Sequence, residues 1–184
     1  SINNTIINNN VIDGNSGQAG GISSFTQNCL IDGNTIQNNQ GRSVGGILLI
    51  SGGTVSNNSF QNNKSTSQTT SYGAASLVTD GGILNLTNNT FTGNDPASFS
   101  LTTAIYVGTK GNCNITNNTF TGQQTTADSG RVIYVANSQY GTYGVINNNN
   151  ISNNTTQYSL YYDGNSGNTL DATNNWWGTT NASE

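Results

Sequence analysis

The 184-residue chain has no histidine and no methionine, a single proline at Pro96, two cysteines and only 7% charged residues. Each shortage closes off a class of function. Without histidine, imidazole zinc sites and Ser-His-Asp hydrolysis cannot be built. With four basic residues and a net charge of −4, the chain lacks the cationic surface that phosphate backbones require, so no nucleic-acid partner is expected. No apolar run approaches the ~18 residues of a membrane-spanning helix, and no membrane insertion is expected in this segment. Leu, Ala, Glu and Lys are too scarce for an amphipathic helical bundle. No secretory leader is recognisable, so the chain is expected to be processed, a segment of a longer protein, or a stacking subunit.

What remains is abundant. Asn (34), Thr (26), Gly (23) and Ser (20) make up more than half of the chain. Such a composition resembles a disordered polar tract, yet the apolar residues are regularly spaced. A motif of the form Asn-Asn-Thr-Phe/Ile-x-x-Asn recurs, with its apolar centre at Ile6, Ile36, Phe60, Phe91, Phe120, Ile151 and Trp176. The centres lie on average about 28 residues apart, within the range that marks solenoids. Two residues before each centre stand Asn4, Asn34, Asn58, Asn89, Asn118, Asn149 and Asn174. Three after it stand Asn9, Asn39, Asn63, Asn94, Gln123, Asn154 and Thr179.

Alternating positions seven and five residues before the centre, such as Leu84/Leu86 and Cys113/Ile115, predict one strand with a buried face. A second strand precedes the centre by 13–18 residues. Its inward pairs would be Ile22/Ser24, Ile47/Leu49, Ala75/Leu77, Ile105/Val107, Ile133/Val135 and Leu160/Tyr162. Variable segments such as Lys64–Tyr72 and Thr121–Gly130 read as loop insertions. Short strands without helices, none able to bury its own apolar face, stack best as a solenoid. The prediction is an all-β fold: a right-handed single-stranded parallel β-helix of about seven coils, with residues 1–184 in one domain. Equivalent Asn side chains then align rung above rung and donate amide to amide. Cys29 and Cys113 share one offset three rungs apart, roughly 14 Å at strand spacing, so they are expected to be free and buried.

The units "NNTFTGN", "NNSFQNN" and "GGI", with the closing "DATNNWWGTT", resemble the parallel β-helix repeats of methanogen adhesin-like cell-surface proteins. They are also similar to the repeats of chlamydial polymorphic outer-membrane proteins. Gly-Gly-Ile occurs at Gly20–Ile22, Gly45–Ile47 and Gly81–Ile83. The resemblance covers essentially the whole chain. It implies an archaeal-type extracellular or cell-surface location and a stalk-like or adhesive role, and it brings no catalytic set.

Candidate functional residues follow from the predicted register. The outward face of the second strand would read Ser23, Leu48, Ser76, Tyr106, Tyr134 and Tyr161, an exposed aromatic stripe able to bind glycans or cell-surface proteins. Trp177, beside a core Trp176, would cap the stack or contact a ligand. Asn63, in a sequon within a long insert, is the best-placed glycosylation candidate. No two carboxylates share an offset in adjacent units, so no paired-acid site, catalytic set, metal site or cofactor is expected. The chain is read as a non-enzymatic extracellular adhesin-like or structural module. The alternatives are a fibre or sheath subunit, a filament stacking end to end, and a polysaccharide-active β-helix enzyme fragment.

Overall fold

In the computed structural model, residues 4–66, 74–96, 102–108, 111–125, 130–136, 143–164 and 168–178 are described. Their strands stack in parallel into three long sheets and one short one, a β-solenoid. The first sheet has seven strands: Thr5–Asn8, Cys29–Asp32, Gly53–Ser56, Gly82–Thr87, Gly111–Thr116, Tyr143–Asn147 and Thr169–Asp171. The second has six: Val11–Asp13, Thr35–Gln37, Ser59–Gln61, Thr90–Thr92, Thr119–Thr121 and Asn150–Ser152. The third also has six: Ile22–Ser24, Ile47–Leu49, Leu77–Thr79, Thr102–Val107, Arg131–Val135 and Tyr158–Tyr162. Seven rungs therefore hold for one sheet only, and the complete turns are fewer than the seven expected. Ser16–Ala19, Gln40–Val44, Lys64–Ser65 and Asp95–Pro96 form the short sheet between the second and third. Pro96, which has no N–H to donate, lies in its edge strand. Most of the expected insertion Lys64–Tyr72, and part of Thr121–Gly130, lie outside the described residues.

Each coil turns sharply on both sides of its three-residue second-sheet strand. The residue three before the centre and the residue two after it adopt the left-handed backbone. They are Asn9 and Gly14, Gly33 and Asn38, Asn57 and Asn62, Asn88 and Gly93, Asn117 and Gly122, and Asn148 and Asn153. Only Asn or Gly occupies these corners, because a left-handed residue with a larger Cβ substituent is strained. Each recurrent Asn-Asn pair is thus two devices: the first residue turns the chain and the second enters the interior.

The interior consists of side-chain columns. Phe60, Phe91 and Phe120 are fully buried, with ring centroids 4.5 and 4.7 Å apart and ring planes within 7° and 11° of parallel. Successive rungs thus superpose there with little rotation. The aliphatic column Ile31–Val55–Leu86–Ile115–Ile146 lines the first sheet, and Ile47–Leu77–Ile105–Ile133 lines the third. Cys29 and Cys113 are free and buried in one column, as expected.

Buried between the columns run two amide ladders. Asn34, Asn58, Asn89, Asn118 and Asn149 are at most 2% exposed. The backbone N–H and side-chain Nδ2 of each donate to the Oδ1 of the next: Asn58 to Asn89 at 2.8 and 3.0 Å, Asn89 to Asn118 at 2.9 and 3.0 Å. Nδ2 also donates to backbone carbonyls at the turn, as Asn58 does to Ile31 and Ser56. The second ladder runs Asn15–Asn39–Asn63–Asn94. The ladder residues' own N–H groups and carbonyls beside the turn find partners this way, while corner N–H groups such as those of Gly33 and Asn57 donate to backbone carbonyls of the next coil.

Four expectations of register are corrected. The first centre is Ile12, paired with Ile36, and not Ile6, which pairs with Leu30 on the first sheet. The motif-like segment occurs twice in the first twelve residues, and only the second copy places an amide under Asn34. Asn10 therefore fills the ladder, while Asn4 is exposed outside it. At the other end Trp176 bridges Asn150, so Trp177 stands over Ile151 and Asn175, not Asn174, receives the ladder bonds from Asn149. Asn174 is the left-handed corner residue. That one-residue slip exchanges the two tryptophans between faces. In the third sheet Leu77 and Thr79 face inward in place of Ala75 and Leu77. Finally, Gly81–Ile83 does not match the other Gly-Gly-Ile elements, since Ile83 pairs with Asn112 on the first sheet. The coil after Gly45–Gly46 has Ala75–Ser76 there. A Cβ on Gly45 would come within 2.4 Å of the Ala75 carbonyl oxygen, which is why that corner takes glycine.

Three outcomes are expected. Asn89→Ala orphans the Asn58 N–H and takes the Nδ2 donor away from the carbonyls of Val55 and Thr87, and denaturant melts will show a loss of about 3 kcal/mol or more. Gln123 interrupts the second ladder: its Nε2 turns back to Thr121, and its buried Oε1 has no hydrogen-bond partner. Gln123→Asn restores the amide length, and the same melts will show a gain of about 1–2 kcal/mol. Burial pushes the Cys113 thiol from 9.0 up to about 12. The fold favours the protonated thiol, so this contribution is complete below pH 9 and declines as pH rises toward about 12. Urea midpoints measured across that window will fall less steeply in Cys113→Ala.

Candidate aromatic binding face

On its outer side the third sheet carries one row, Ser23–Leu48–Val78–Tyr106–Tyr134–Tyr161. Val78 stands where Ser76 was expected, and the three tyrosines occupy consecutive rungs as anticipated. Their exposure differs from the expected stripe. Tyr106 is 2% exposed and belongs to a second small core with Val44, Ala74, Val78 and Ala136, against which Leu48 and Tyr134 pack. Apolar neighbours recruited where the short sheet meets the third bury the middle of the row, Val78 and Tyr106. Tyr106 is therefore a packing residue, and the accessible part begins at Tyr134.

Tyr134 and Tyr161 are half-buried, and Tyr158 is 37% exposed. The rings meet edge to face: Tyr106–Tyr134 at 5.2 Å, Tyr134–Tyr161 at 5.5 Å and Tyr158–Tyr161 at 5.4 Å. Such contacts contribute about 0.5–1.5 kcal/mol each beyond the area they bury. The Arg131 guanidinium lies 4.5 Å from the Tyr134 ring centroid and 4.1 Å from that of Tyr161. Its buried Nε has no hydrogen-bond partner, so ring faces hold this cation. The Tyr134 hydroxyl donates to Asp163 Oδ2 at 3.5 Å. Burial raises the Tyr134 phenol above its ordinary pKa, the Asp163 charge raises it further, and the Arg131 charge opposes both. Tyr134 thus remains a neutral donor at physiological pH.

Three members of this cluster, Arg131, Tyr158 and Asp163, were absent from the sequence-based candidates. Arg131 pairs with Tyr158 in register, so extending the predicted strand by one residue before Val132 would have located both. Chemically the cluster offers ring edges and faces, a fixed cation, phenolic hydroxyls and one carboxylate. That set suits stacking on a sugar ring with hydrogen bonds to its hydroxyls. Among the described residues, no three His, Cys, Asp or Glu side chains are grouped to hold a metal.

The other candidates lie elsewhere. Trp177 stands at the head of the Phe and Ile column, 37% exposed, and Trp176 faces outward at 47%. Neither belongs to the tyrosine row. Asn63 is wholly buried: it accepts from Asn39 and donates to Ile36 and Asn94. A glycan there would demolish the second ladder, so the Asn63 glycosylation expectation is overturned. The exposed Asp13 and the half-buried Asp32 accept bonds from the next rung, from Gln37 and Asn38 and from Ser56 and Asn57. Those bonds hold both carboxyls below the usual carboxylate range.

A family model described as a right-handed beta helix region matches residues 1–120. No curated protein and no solved structure matches the chain significantly.

Proposed function

The chain belongs to the right-handed β-helix family, and on that footing we propose that it is a non-enzymatic extracellular module, adhesin-like and displayed at a cell surface. It engages glycans through the aromatic edge of its third sheet. The observation that carries this reading is the cluster of Tyr134, Tyr158 and Tyr161 gathered around Arg131. Aromatic residues concentrated at one outer edge, on a chain with only 8% aromatic residues, are an economical way to recognise sugar rings. The likeness of the repeats to methanogen adhesin-like proteins supports the same reading.

A second reading, a fibre or sheath subunit, draws on the direction of the ladder. Every rung of the first ladder donates to the amide oxygen of the rung that follows, so copies added along the axis continue it only head to tail. This is the heterologous contact that generates filaments.

Glycan-array binding tests the first reading. Replacing Tyr158 and Tyr161 by Ala is expected to weaken binding at least tenfold, equivalent to about 1.4 kcal/mol, while Trp177→Ala leaves it unchanged. Binding that survives the tyrosine substitutions removes the aromatic edge from the proposal. Release of reducing ends from a polysaccharide panel would overturn the non-enzymatic assignment.

A further inference from the structure

Asn-x-Ser/Thr sequons begin at many positions in this chain, and the fold sorts them by where their polar groups point. Asn63 and Asn154 are ladder residues whose amides are engaged with Ile36 and Phe120 carbonyls. Asn114 donates to Asn85 across the first sheet. Asn153 is exposed at a corner, but the hydroxyl of its Thr155 is turned onto the Gln123 carbonyl. A different geometry holds at the corner between the first and second sheets. There Asn57, Asn88 and Asn117 are left-handed and exposed. In each case the next residue is the buried ladder Asn, and the sequon hydroxyl, on Ser59, Thr90 or Thr119, opens the second-sheet strand. The repeat thus turns one amide inward and leaves the preceding one outside, with the chain bent at the acceptor. Asn57 donates to Asp32 at 2.7 Å, which ties down its amide.

We propose that Asn88 and Asn117 are N-glycan acceptors on the folded protein. In the transfer, Asn Nδ2 forms a bond to C1 of a lipid-diphosphate-linked oligosaccharide. The C1–O bond to phosphate breaks, the lipid diphosphate leaves with the electron pair, and one amide proton is lost to a base. The two asparagines sit on adjacent rungs, about 4.8 Å apart, less than the width of a sugar chain. One molecule therefore carries a glycan at one of them, not at both. The proposal rests on the extracellular reading for its occurrence in the cell, while the chemistry of the corner does not depend on location.

The test incubates the purified folded protein with an oligosaccharyltransferase and a lipid-linked oligosaccharide, with a sequon peptide as the positive control. Intact mass is expected to rise by a single glycan, mapped by peptide mass spectrometry to Asn88 or Asn117. Glycine keeps the left-handed corner, as Gly33 does at the same place two coils earlier. Asn88→Gly is accordingly expected to move the modification to Asn117, and Asn88→Gly with Asn117→Gly to reduce it more than tenfold. No transfer to the folded chain, transfer to Asn63, two glycans on one molecule, or an unchanged double variant overturns the proposal. Fractionation of the source cells tests location separately, so the two readings fail independently.

Discussion

Narrow coils set the governing constraint. A chain that turns on both sides of a three-residue strand leaves the buried N–H just inside each corner without a backbone acceptor, and nearby carbonyls in need of a donor. Water is excluded there, and an unpaired group costs about 1–3 kcal/mol. The carboxamide meets the demand because it donates and accepts at one short reach. Asn58 serves its own turn, the coil before and the coil after through a single side chain. Apolar columns supply most of the burial, but they leave the axial position of each coil weakly defined. The amides define it, since a coil displaced by one residue would lose every ladder bond at once.

This constraint also explains which parts of the fold were legible in the sequence. Five consecutive ladder residues, Asn34 to Asn149, and the Phe60–Phe91–Phe120 stack could be read directly, because interior coils repeat one solution. The first and last motifs were misplaced because local sequence offers two competing frames. Near Ile6 and Ile12 both frames contain Asn and Ile, and near Trp176 and Trp177 adjacent Asn and Trp residues fit either way. Only pairing with a neighbouring coil decides. The corner glycines gave a similar ambiguity, since Gly81–Gly82 serves a different bend from Gly45–Gly46.

The outer face was harder to read for a different reason. Alternation told which side of the strand each tyrosine takes, and Tyr106, Tyr134 and Tyr161 do share a row. It did not tell what packs over that side. Val44 and Ala74 come from another part of the coil, and they convert Tyr106 into core. Arg131 was not legible because a side chain with several rotatable bonds can lie along the sheet and settle on rings of its own and the next rung. Conversely, Asn63 looked like a loop residue in a sequon, yet it keeps the ladder position three residues after Phe60 and is among the most buried polar residues described.

The ladder's uniform sense has an electrical consequence. In the sheets, peptide dipoles alternate along each strand and largely cancel. The ladder carboxamides do not alternate: each Oδ1 points back along the axis toward the preceding coil. Their dipoles add as peptide dipoles add in a helix, making the end near Asn10 relatively negative and the end near Asn175 relatively positive. A molecule almost devoid of formal charge thus acquires an axial field, which would orient it against charged surfaces and whose strength grows with every coil added.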